Sequence, residues 1–182
     1  MRVNLAETFL DKLGIEKLPG LGPEARSGRL SVEEVEALVQ AFCGEHGIGG
    51  EKADCLRSAG LLWHDYLDES HSISQGIETA DGSFLHGVMH RREPDYWNAG
   101  YWFKRVGHHP TYERIGELVM DLYEDEGWED WAGGLACDGE WDPFVMLKLC
   151  EEALEEGDEE REVALRRIQH LEFQGWLEGL LG

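Results

Sequence analysis

A chain of 182 residues with seven tryptophans and a hydrophobic fraction of 42% has the material for one well-packed domain, which excludes a disordered protein. Its net charge of −22 excludes binding to the nucleic-acid backbone, because most of the surface would repel phosphates. No apolar run approaches the roughly 20 residues of a membrane span, so no membrane partner is expected.

The elements read as helices almost throughout. Leu5, Phe9 and Leu13 predict a short first helix ending near Gly14, followed by a Pro- and Gly-rich loop over 16–30. Ser31-Val32-Glu33-Glu34 is a capping box, and Val32, Val35, Leu38, Val39 and Phe42 continue at helical spacing. A third helix is predicted from Lys52 to Glu69, with a stripe centred near Ala59. A fourth is expected from Asp81, as cap, to Arg92. Pro94 then starts a fifth, over 95–106, whose Tyr96, Trp97, Tyr101, Trp102, Phe103 and Val106 surround most of its circumference. A helix apolar nearly all round is expected to be buried. His109-Pro110-Thr111 opens a sixth helix, and the Gly- and Trp-containing stretch from Gly127 to Glu140 reads as a loop or flap. Asp142-Pro143 starts a seventh helix, stopped by Gly157, and Asp158 caps the last. The pattern predicts a single all-α domain over 1–182, with about eight helices around the aromatic helix 95–106.

Charge is unevenly spread. From Gly116 to Glu160 there are 17 Asp/Glu against the single Lys148, an acidic stretch suited to a basic protein partner. From Asp81 to Arg114 five basic residues face four acids, so a small anionic molecule could bind there. Four cysteines without a Cys-x-x-Cys pair, and a start without an apolar leader segment, point to a reduced, cytoplasmic setting.

Six of the eight histidines lie between His64 and His109. Residues three, four and seven apart share a helix face, so His64, Asp68 and His71 form one triple, and His86, His90 and Glu93 another. Imidazoles beside carboxylates can hold a divalent ion (Zn, Mn or Fe) or carry protons. His86, His90, His64 and His71 are the candidate metal ligands, with Glu93 and Asp68 the carboxylates for the chemistry. Both triples lie opposite apolar stripes, which is also what solvated helix faces look like. They make a site only if the two faces turn toward one cleft. Arg92 falls on the apolar side and needs a partner such as Asp65 or Asp95, favouring a structural ion pair. Arg91, pointing elsewhere, is the better ligand contact, and Asn98 and Arg105 could extend the polar patch.

Two resemblances add to this. Ala59-Gly60-Leu61-Leu62-Trp63-His64-Asp65 is similar to the His-Asp doublet helix of the HD-domain metal-dependent phosphohydrolases, which implies an all-α fold and a divalent metal at the doublet. In that family an earlier His and a later Asp complete the shell; here His46 precedes the doublet by 18 residues. The stretch from Leu61 to Pro110, with His-Arg-Arg-Glu-Pro-Asp and Asn-Ala-Gly-Tyr-Trp, resembles an uncharacterised group of bacterial and fungal proteins, which implies a shared domain without supplying an activity. These observations lead to a metal-assisted hydrolase acting on a small anionic molecule. The alternative is a non-catalytic binding or interaction protein.

Overall fold

The computed structural model describes residues 4–182, and among them every regular element is helical. There are ten α-helices and one 3₁₀ segment, so the all-α reading holds with about ten helices in place of eight. The chain packs as two compact units, Phe9–Gly107 and a second formed by His108–Gly182 with the chain up to Thr8.

Helix ends follow the local chemistry. The first helix, α1 (Leu5–Leu13), stops at Gly14, and α2 (Val32–His46) begins at the predicted capping box. There Ser31 accepts from the Glu34 amide, and the Glu34 carboxylate accepts from the Ser31 amide. Gly47 closes α2 in the left-handed conformation, donating to the Cys43 carbonyl.

The predicted helix from Lys52 to Glu69 is two helices, α3 (Glu51–Trp63) and α4 (Leu67–Ser74). Asp65 breaks it with φ of 64°, a left-handed value that Asp tolerates better than bulkier residues. This break is held from a distance, since the Asp65 carboxylate accepts from Arg26 and Arg92. Local spacing carries no sign of it.

The next helix, α5 (Ala80–Arg92), starts after Thr79, two residues before the predicted Asp81 cap, and every residue from Gly82 to Arg92 is buried. Beside it packs α6 (Tyr96–Val106), capped by Asp95. The centre of this unit is therefore α5, and the expectation of a buried helix over 95–106 is corrected. Trp97 is 80% exposed and Tyr101 46%, while Ala99, Phe103 and Val106 are buried. Aromatic rings with a polar edge tolerate water, and α6 is an ordinary amphipathic helix. Polar α5 is buried with Arg92 paired to Asp65 and His90 to Glu93. Gly87 allows the close approach: a Cβ there would lie 2.8 Å from the Phe103 ring.

In the other unit, α7 (Tyr112–Glu126) packs against the last helix, with Gly175 admitting Ile115 and an Arg114–Glu178 ion pair at 2.6 Å. The stretch expected to be a loop or flap is ordered as α8 (Glu129–Ala132) and the 3₁₀ segment Gly133–Gly139. Buried Ala132, Leu135 and Trp141 anchor it, and the Trp141 amide donates to the Tyr112 carbonyl. Asp142 and Asp158 cap α9 (Pro143–Glu156) and α10 (Glu159–Leu181) as predicted. No helix among the described residues is long and apolar enough to cross a membrane.

Candidate metal centre

Two residues one turn apart on α5, His86 and His90, present their rings to His71 on α4. The His71 and His86 centroids are 4.6 Å apart, His71 and His90 5.4 Å, and His86 and His90 4.9 Å. One nitrogen from each lies within 4.8 Å of the other two, so the three can hold a metal ion. A tetrahedral ion about 2.1 Å from each nitrogen would set them about 3.4 Å apart, a closure within reach of small rotations.

Each ring has a distinct setting. His90 Nδ1 lies 3.0 Å from Glu93 Oε2, on the next helical turn, which leaves its Nε2 for the cluster. A carboxylate behind a histidine fixes the tautomer and strengthens the ring as a donor to metal. His86 is sandwiched between its neighbours and Trp102, whose ring stacks on it at 3.8 Å. Its Nδ1 is buried without a hydrogen-bond partner among the described residues. Burial, then the adjacent His71, His90 and Arg105, push the His86 pKa down to about 3, so this ring is neutral near pH 7. His71 is half-buried and forms the exposed side of the group. Arg105 lies over the outer face of Trp102, 5.0 Å from the ring centre. Trp102 and its stacking role are missing from the sequence-derived site, because a contact between α5 and α6 leaves no trace in the spacing of either helix.

Three of the four predicted metal ligands thus come together, and the fourth does not. His64 caps the end of α3, and its Nδ1 accepts from the Leu30 amide at 3.3 Å. Burial, then the Arg26 charge, lower its pKa to about 4 against the opposing pull of Asp65 and the Leu13 backbone. The break at Asp65 is the reason: on one continuous helix His64 and His71 would share a face, and the left-handed turn separates them.

The remaining candidates sort by burial. Glu93 serves His90, as above. Asp68 is exposed on α4 and lines an open cavity of about 630 Å³ with Glu69, Glu93 and Asp95. Arg92 makes the expected ion pair, Nη2 to Asp65 Oδ1 at 2.7 Å, and also donates to the Leu62 carbonyl at 2.6 Å. Burial alone would raise the Asp65 pKa, but hydrogen bonds from Arg26 and the Arg92 charge hold it below the usual carboxylate value. Arg91 is also wholly buried, at 0% exposure. Asn98 donates to Asp95 Oδ2 at 2.7 Å, binding it into the cap of α6 rather than into a ligand patch. Of the three predicted ligand contacts Arg105 stands near the histidines, over the Trp102 ring that stacks on His86. No protein-family model matches the chain, and no curated protein or solved structure was found to be similar to it.

Proposed function

We propose that His71, His86 and His90 bind one divalent metal ion, zinc best among the candidates, and that the protein is a metal-assisted hydrolase of a small anionic substrate. The observation that carries this is the convergence of three imidazoles with Glu93 behind one of them. Three neutral nitrogen ligands leave a fourth position for water and a net charge of +2 on the centre, which lowers the pKa of that water toward 7. Mn²⁺ and Fe²⁺ suit imidazole less well than Zn²⁺ when no carboxylate joins the first shell. The half-exposed His71 side is the approach for a substrate, and Arg105 over Trp102 supplies positive charge there. The orphaned His86 Nδ1 supports the reading, since a buried polar atom without a partner is costly unless something else occupies it.

The test is metal titration of chelator-stripped protein, purified without a metal column, followed by calorimetry. One Zn²⁺ per chain with submicromolar affinity is expected, lost in His86→Ala and His90→Ala and kept in His64→Asn. Hydrolysis of anionic ester substrates should require the metal and fail in Arg105→Ala through a raised KM. Absence of metal binding at micromolar concentrations overturns the proposal.

A further inference from the structure

A second cavity, of about 600 Å³, lies at the end of α1 against the loop over 26–30. Lys12, Lys17, Arg26 and Arg29 line it, against only two acids, Asp11 and Glu16. In the whole chain acids outnumber bases by 38 to 16, so this local excess reverses the protein's sign. Most basic residues elsewhere are paired: Arg57 with Glu36, Arg114 with Glu178, Arg167 with Glu126.

Here the pairing stops. Lys12 and Lys17 are exposed and make no ion pair among the described residues. Arg29 donates to the His64 and Asp65 carbonyls and covers the Tyr66 ring, 4.0 Å from its centre, without a carboxylate. Arg26 shares its only carboxylate, Asp65, with Arg92, and gives its other N–H groups to the Lys17 and Trp63 carbonyls. Carbonyl oxygens satisfy these donors but do not cancel their charge. The half-buried arginines are held rigidly by those bonds, and the two lysines stand free at the mouth. His64, 5% exposed, forms part of the wall.

We propose that this cavity binds a small phosphate-type oxyanion, inorganic phosphate or a phosphomonoester, between Lys12, Lys17 and the fixed charges of Arg26 and Arg29. The volume falls in the range of small-molecule pockets and exceeds what a bare ion needs, leaving room for an organic group on the phosphate. A long polyanion is excluded by the acidity of the remaining surface. Fixed guanidinium charges set the field, and flexible ammonium groups supply the donors. This inference is independent of the metal centre.

Inorganic phosphate is the probe. Titrated at constant ionic strength into chelator-stripped protein, it should shift the His64 ring and Gly28 amide NMR signals saturably at millimolar concentration and raise the melting temperature. The His71, His86 and His90 ring signals should stay in place. Lys12→Glu/Lys17→Glu, two exposed positions whose replacement leaves the fold intact by circular dichroism, should weaken phosphate binding about tenfold or more. A second titration with glycerol phosphate tells the free ion from the monoester: tighter binding of the ester assigns the cavity to an organic phosphate. Unsaturable shifts, or equal affinity in the double variant, overturn the proposal.

Discussion

Two polar clusters stand two residues apart on α5 and solve burial in opposite ways. Around Arg92 the charges are answered: Asp65 accepts from Arg92 and from Arg26, and carbonyls of Leu62 and Gly22 take further donors, with the Arg92 Nε alone left without a partner among the described residues. Around His86 and His90 the pairing is sparser, with His86 Nδ1 orphaned among the described residues and a carboxylate, Glu93, behind His90. A closed network is what a fold uses to join segments distant in sequence, here the loop at Arg26, the α3–α4 turn and α5. The histidine group has no such charge pairing between distant segments, and that contrast supports the proposal of a ligand site at the histidines beside a structural tie at the arginine.

The sharpest way to break this comparison is Asp65→Ala. It leaves Arg26 and Arg92 without a counter-charge and should cost about 3–5 kcal/mol in urea unfolding. His71→Ala in metal-free protein should cost far less, because its ring is half-exposed; equal losses would erase the distinction between tie and site. Gly87→Ala presses a methyl group into the Phe103 ring and should destabilise by about 1–3 kcal/mol, weakening metal binding as α5 shifts on α6. Glu93→Gln should leave metal-free stability nearly unchanged and reduce metal affinity about 10–100-fold, read by calorimetry. A further effect concerns pH. His64 is depressed to about 4 in the fold, below its ordinary 6.5, so the unfolded chain takes up the proton first as pH falls. Stability from this residue is complete above pH 6.5 and is lost progressively down to about 4, a slope in melting temperature that His64→Asn should reduce, leaving the part that belongs to His86.

How much of this was legible beforehand depended on the range of the forces involved. The caps at Ser31, Asp142 and Asp158 act within one turn, and their helices begin where the residues say. The histidine pair on α5 and its Glu93 partner are likewise local, and so was the need of Arg92 for an aspartate. The split of α3 from α4 depends on Arg26, 39 residues away from Asp65, and helical spacing therefore joined His64 to the wrong group. Exposure of Trp97 runs against the reading for a related reason: ring counts describe a helix alone, whereas burial follows from which neighbours cover it. The stretch from 127 to 140 is ordered by side chains that its glycines conceal.

Asp65 carries two instructions in one side chain. Its backbone takes the left-handed turn that separates α3 from α4, and its carboxylate answers two guanidinium groups. Asn would keep the turn and lose the charge; Glu would keep the charge and resist the turn; Gly would keep only the turn. No single substitution preserves both, so the position offers no route of gradual change. The aim of the helix that bears His71 and the anchorage of the helix that bears His86 and His90 are inherited together.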